Sequence, residues 1–322
     1  MYIIMLLVGL GLIVLDADWL VNGASSIARR AGISEFIIGL TIVGFGTSCP
    51  ELVVSITGAI EGNADISVGN VVGSNIFNVL FILGLTAVIC PIGFTDKNRK
   101  TDIPIMLAVT AIFLLFGLAL SYRSDTGISR TEGIVMLLIF AGYMYYCFRS
   151  KSKDAKDSEE STPQPLWKSI LMTAAGLAGL IFGGDMFVDN AVILASRIGV
   201  SDKFIAVTVL EGGTSLPELA TSITAALKGR QQLAIGNIIG SNIFNILFIL
   251  GSSALITPLS LNSMTITDTV MLSASAILLL IWAYTGKKNR IDRWEGAVML
   301  LCFALYYALL FKELYFRNHE IR

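Results

Sequence analysis

Apolar runs long enough to cross a bilayer recur along the whole chain, and nothing else in the sequence restricts its fold so severely. They lie near residues 2–21, 35–60, 66–91, 103–121, 131–148, 169–195, 203–227, 233–257, 267–285 and 294–311. A span needs about 20 such residues, so the spacing predicts ten transmembrane helices and an all-α membrane protein. Composition agrees. With 54% hydrophobic and 15% charged residues among 322, the chain could not cover a soluble surface with polar groups. The net charge of −1 and the lack of a basic, aromatic-interleaved patch exclude a nucleic-acid partner. Nothing points to an obligate protein partner, so the expected surroundings are the lipid bilayer. The apolar N-terminus runs into the first span without a basic n-region, and is therefore expected to stay as a helix rather than be cleaved as a signal. Cys49, Cys90, Cys147 and Cys302 show no metal-ligand spacing and read as core thiols. The only histidine, His319, sits in the tail, so no buried imidazole is expected to relay protons.

Lys and Arg positions predict orientation. With ten spans, 16 of the 23 basic residues fall in one set of loops and 7 in the other. The bias expects both termini outside the cytoplasm of a cell (plasma or inner) membrane. It makes the polar stretch 149–168 a solvated cytoplasmic linker between a first five-helix unit, 1–148, and a second, 169–322.

These two units resemble each other. Residues 18–91 align without gaps to 185–258. Asp18 matches Asp185, Arg30 matches Arg197, Gly32 matches Gly199 and Pro91 matches Pro258. GTSCPEL at 46–52 matches GTSLPEL at 213–219, and GNVVGSNIFN at 69–78 matches GNIIGSNIFN at 236–245. An odd number of spans per unit inserts the second upside down relative to the first. Inverted-topology repeats with interrupted helices at equivalent places build secondary transporters, with an ion site at the midplane between them.

The repeat accounts for an otherwise costly residue. Glu51 carries the only charge between Phe36 and Ile60, and an ionised group at membrane depth costs roughly 2.5–3.5 kcal/mol or more. Its twin is Glu218, and a pseudo-two-fold axis can bring the two together. Facing carboxylates repel in a low dielectric unless a cation lies between them. Two carboxylates among hydroxyl and carbonyl oxygens suit Ca²⁺, which takes six to eight oxygen ligands. Thr47, Glu51 and Ser55 share a helical face by four-residue spacing, as do Thr214, Glu218 and Ser222. Pro50 and Pro217 remove backbone donors and free carbonyls at Gly46 and Gly213, which is tolerated where a polar cavity is lined. Asn70–Ser74–Asn78 and Asn237–Ser241–Asn245 form two further polar stripes. Asp16, Asp18, Asp185 and Asp189 read as caps or interface contacts rather than ion-path residues, and Glu35, Glu61 and Asp65 as loop carboxylates.

The duplicated GTSxPEL and GNxxGSNIFN motifs resemble the alpha repeats of the sodium/calcium exchangers, in the calcium/cation antiporter superfamily, over essentially the whole chain. The resemblance implies ten helices, with four motif-bearing helices as a core and the long first and sixth helices moving against it. It implies a secondary-active antiporter, not an enzyme, that exchanges Na⁺ for Ca²⁺ by alternating access and holds no permanent cofactor. Glu51 and Glu218 would then be central ligands. Thr47, Ser48, Ser74 and Asn78 would surround the first, and Thr214, Ser215, Ser241 and Asn245 the second. Backbone carbonyls of Gly44 and Glu211 would line sodium sites. Proton/calcium exchangers differ before the glutamate, so GTSxPE favours sodium coupling over proton coupling. Many relatives carry Asp where this chain has Asn245, and potassium-dependent members use it, so potassium is expected to be dispensable. Glu211 stands where a small residue is expected, opposite Gly44. It either adds a third carboxylate to the site or faces a vestibule. An intramembrane hydrolase would need paired Asp or a zinc set that the buried residues lack, and symmetric broken helices favour a carrier over a channel.

Overall fold

The computed structural model describes residues 1–120, 127–149, 164–197, 211–261, 264–285 and 289–319, with the side chains of residues 64, 118–120, 211 and 314–319 outside that description. Its helices are α1 Tyr2–Ala31, α2 Glu35–Thr47, α3 Cys49–Ile60, α4 Asp65–Ile89, α5 Asn98–Gly117 and α6 Arg130–Arg149. They continue as α7 Leu166–Arg197, α8 Glu211–Thr214, α9 Leu216–Leu227, α10 Gln231–Ile256, α11 Ile266–Thr285 and α12 Arg293–His319. Eight of these are long and apolar enough to cross a membrane. The pair α2–α3, bent by 48°, makes a ninth, and the tenth apolar run, 203–227, is described only from residue 211 onward. Two short strands, β1 Ile92–Gly93 and β2 Arg290–Ile291, pair antiparallel and tie the loop after α4 to the start of α12.

Local sequence sets the helix ends. Gly32 closes α1 in the left-handed region at φ 64°, a conformation that costs a residue without Cβ little. Ser34 then caps α2 by accepting from Ile37 N. Capping boxes open α6 and α11, where Ser129 and Thr265 stand three residues before Glu132 and Asp268 and exchange hydrogen bonds with them; at the start of α12, Asp292 N donates to Glu295 Oε2. Glu35 is no loop carboxylate as the sequence suggested. It lies in the first turn of α2 and pairs with Arg230 at 2.6 Å. Asp65 likewise begins α4.

Packing displays the inversion directly. The equivalent helices α1 and α7 run antiparallel along their length, with Gly9 against Gly183, Leu20 against Gly176 and Gly23 against Ser169. Small residues let the two backbones approach; a Cβ on Gly23 would fall 2.7 Å from the Ser169 carbonyl oxygen. The ends of α4 and α10 are gripped in the same reciprocal way, Gly84 by Gly296 on α12 and Gly251 by Gly133 on α6. Of the apolar stretches, 94% of α10 and 78% of α4 are buried, against 22–39% of the other spanning helices. The motif helices are therefore the centre of the bundle and the rest surround them. Cys147 is buried and the other three thiols half-buried, all free.

Candidate ion-binding site

Both motif helices break at equivalent serines. Ser48 has φ −84° and ψ 12°, Ser215 φ −91° and ψ 9°, and each new helix starts with proline in its first turn, where a missing N–H costs nothing. Glu51 and Glu218 follow in those first turns, at the helix ends whose dipoles favour negative charge. Both are at most 1% exposed.

The break decides which groups meet. Ser48 Oγ donates to Glu218 Oε1 at 2.7 Å, and Ser215 Oγ donates to Glu51 Oε1 at 2.8 Å. Each repeat's serine thus serves the other repeat's glutamate, a correction to the expectation that Thr47 and Ser48 gather around Glu51 and Ser215 around Glu218. The physical reason is the bend, which turns these hydroxyls off the helix face and across the axis. For the same reason Thr47 does not stack above Glu51; its Oγ1 lies 3.1 Å from Asn237 Oδ1 of α10. Ser241 stays with its own repeat, 3.5 Å from Glu218 Oε1, and donates at 3.2 Å to the Gly44 carbonyl, which thereby faces the site.

Asn70 and Asn237 brace the broken helices through their side-chain nitrogens. Asn70 Nδ2 donates to Glu51 O at 3.1 Å and Ser55 Oγ at 2.9 Å. Asn237 Nδ2 repeats this on Glu218 O at 3.3 Å and Ser222 Oγ at 3.0 Å. Beyond them, π-helical turns begin at Phe77 and at Asn245, a distortion common at functional sites. Asn75 and Asn242, which the sequence reading passed over, cross-link α4 and α10 there. Their signal was present in the motif, where each lies three residues before Asn78 or Asn245.

The outcome is a set of buried oxygens left open. Glu51 Oε2, Glu218 Oε2, Asn78 Oδ1, Asn245 Oδ1 and Ser74 Oγ have no hydrogen-bond partner. Each unsatisfied buried polar atom costs about 1–3 kcal/mol, and natural structures keep few of them. Among the described residues no Lys or Arg pairs with either glutamate. Nor do three acidic, thiol or imidazole side chains gather there. The described charge is two carboxylates amid neutral oxygens. Thr214 is half-buried on α8. Glu211 opens that helix, but its side chain lies outside the described residues.

A cavity of about 720 Å³ reaches the two breaks at Pro50, Thr214 and Pro217, with Asp65, Asp185 and Asp189 along its wall. Asp185 and Asp189, expected as caps or interface contacts, line this cavity within the long helix α7. Asp18 does make an interface contact as expected, an ion pair with Lys228 at the end of α9.

The comparisons with known proteins fit this geometry. The profile of the sodium/calcium exchanger protein family matches residues 1–149 and 168–312. The chain is 41% identical to a protein of Alkalimonas amylolytica designated as an antiporter, CaxA, over 96% of this chain and 98% of that one. It is 34% identical to the sodium/calcium exchanger MaX1 of Methanosarcina acetivorans over 96% and 98% of the two chains. Among solved structures, the sodium-calcium exchanger NCX_Mj soaked with Na⁺ and Ca²⁺ superposes with a TM-score of 0.82 at 31% identity, covering 95% of this chain and 97% of that one. With two inverted repeats, paired glutamates at their shared axis and matches along nearly its whole length, this chain belongs to the sodium/calcium exchanger family and is a multi-pass membrane antiporter, not an enzyme.

Proposed function

We propose that the protein exchanges Na⁺ for Ca²⁺ across the cell's plasma or inner membrane by alternating access, with both ions competing for the site between Glu51 and Glu218. The observation that carries this reading is the pair of symmetry-related buried carboxylates, each with one oxygen held by a serine and the other without a donor. A cation supplies what the site lacks, and removing it leaves two like charges facing each other in low dielectric. The empty, fully charged site is therefore costly to carry through the occluded state, which couples the two ion flows. Ca²⁺ would take the free oxygens of Glu51 and Glu218 with those of Ser74, Asn78 and Asn245. Thr47, Ser48, Thr214, Ser215 and Ser241 line and orient the site, and the Gly44 and Glu211 carbonyls serve Na⁺. The basic-residue bias places both termini outside the cytoplasm, and the cavity bounded by Asp185 and Asp189 then opens to the outside. The soaked exchanger structure supports the choice of ions, and the inner membrane protein YrbG of Escherichia coli, 35% identical over 95% of this chain, supports the location.

The test is Ca²⁺ uptake into proteoliposomes with and without an outward Na⁺ gradient. Stimulation by the gradient, with sensitivity to membrane potential if more than one Na⁺ moves per Ca²⁺, is the expected result. Uptake driven equally well by a pH gradient without Na⁺ would replace sodium coupling by proton coupling.

A further inference from the structure

An asparagine side chain can present a cation with its oxygen or with its NH₂ group, and only the first attracts it. At Asn78 and Asn245 the surrounding hydrogen bonds decide between them. Asn75 Nδ2 donates to the backbone carbonyl of Asn242 at 3.2 Å. A carbonyl only accepts, so the nitrogen of Asn75 is committed to that side and its oxygen to the other. There Asn75 Oδ1 accepts from Asn245 Nδ2 at 3.1 Å. The nitrogen of Asn245 is thereby used, and its oxygen is left buried without a donor. The reciprocal chain starts at Met106 on α5, whose thioether sulfur has no proton to give. Asn242 Nδ2 lies 3.6 Å from Met106 Sδ, and Asn242 Oδ1 accepts from Asn78 Nδ2 at 3.2 Å. This frees Asn78 Oδ1 in turn. All four amides are at most 2% exposed, so water does not compete for them.

We propose that Asn75 and Asn242 are positioning residues, each turning the amide oxygen of an asparagine on the opposite repeat, Asn245 and Asn78, toward the transported cation. The inference rests on the reading of Asn78 and Asn245 as ion ligands. It explains how an uncharged site wall presents oxygen alone, and it makes the two halves unequal. One chain is anchored on a backbone carbonyl, the other on a weakly accepting sulfur, so the Asn78 side is the more easily misdirected.

A carboxylate has no NH₂ to misdirect and needs no such lock, which separates positioning from mere support. Ca²⁺ affinity of the purified full-length protein is measured by calorimetry for Asn75→Leu, alone and combined with Asn245→Asp, alongside each parent. The expected result is a loss of at least about tenfold for Asn75→Leu in the native background, as for a lost oxygen ligand. In the Asn245→Asp background the same change shifts affinity by no more than about twofold, the range of independent sites. Equal losses in both backgrounds, or none in either, overturn the proposal. Should Asn75→Leu fail to fold, Met106→Leu, which keeps volume and removes only the acceptor, is compared with and without Asn78→Asp. A loss confined to the background with Asn78 intact supports the lock, and no loss overturns it. Unchanged Ca²⁺ binding in Glu218→Gln would instead overturn the site itself, a result distinct from either.

Discussion

Glu51 and Glu218 each leave one buried oxygen without a donor, and like charges repel in a low dielectric, so neutralising either acts in two directions at once. Glu51→Gln and Glu218→Gln should each lower Ca²⁺ affinity by at least about tenfold, or 1.4 kcal/mol, and abolish transport. In ion-free buffer the same variants should melt no lower than the parent, because a like-charge repulsion has been removed. Calorimetry and thermal unfolding check the two signs separately, and near-normal uptake by either variant would sink the two-carboxylate site. Glu211 poses a different question at the same scale. If its carboxylate reaches the cavity as a third ligand, Glu211→Ala weakens Ca²⁺ binding; if it faces a vestibule, binding holds and only a modest, salt-sensitive loss of rate follows. Potassium is expected to be dispensable for either protein, since Asn245 carries no charge, and uptake assays with and without K⁺ read this directly.

At the scale of elements, the breaks at Ser48 and Ser215 are what turn two helices into one site. The crosswise hydrogen bonds make a specific statement about energetic coupling. Ser48→Ala should couple to Glu218→Gln, with an interaction energy of about 0.5–3 kcal/mol in Ca²⁺ binding, and be nearly additive with Glu51→Gln. The pattern reverses for Ser215→Ala, and coupling along each repeat instead of across the axis would contradict the arrangement. The close approach of α2 to α10 bears on stability rather than binding. A Cβ on Gly39 would lie 2.5 Å from the Leu233 carbonyl oxygen, where backbone cannot yield as a flexible side chain could. Gly39→Ala should therefore destabilise the folded protein by about 1–3 kcal/mol, measurable as a lower melting temperature.

Over the whole molecule, the repeat symmetry is broken by charge. Asp18 on α1 pairs with Lys228 at the end of α9, and Asn22 accepts from the same Lys228 at 2.9 Å. The equivalent positions at the opposite end of the bundle are Asp185, Asp189 and Glu61, three acids that cannot pair with one another. One end is thus latched by opposite charges, while the cavity carrying Asp185 and Asp189 lies at the other. Lys228→Glu should shift the population toward the state open at the latched end. Because the pair is 29% and 46% exposed, the shift should be about fivefold or less, or 1 kcal/mol. Faster hydrogen exchange in the second half of α1, restored by the exchange Asp18→Lys with Lys228→Asp, is the expected reading; no difference between the single variant and the parent removes the latch.

The helical membrane fold, its inverted duplication and the pairing of Glu51 with Glu218 were legible in the residues themselves, because span length, an odd number of spans and a fixed-offset repeat leave few arrangements. Which partner each side chain takes was not. Sequence spacing treats Thr47, Glu51 and Ser55 as one straight helical face, but the 48° bend at Ser48 sends the hydroxyls across the axis to the opposite repeat. The same holds for Asn75 and Asn242, whose donors and acceptors are met by residues of the other half of the chain. It holds too for Asp18 and Asp185, aligned in the repeat yet one ion-paired and the other facing a cavity. Periodicity along one chain fixes which face of a helix a residue occupies; only the packing of two inverted units fixes what that face meets, because the partner comes from the other half of the sequence.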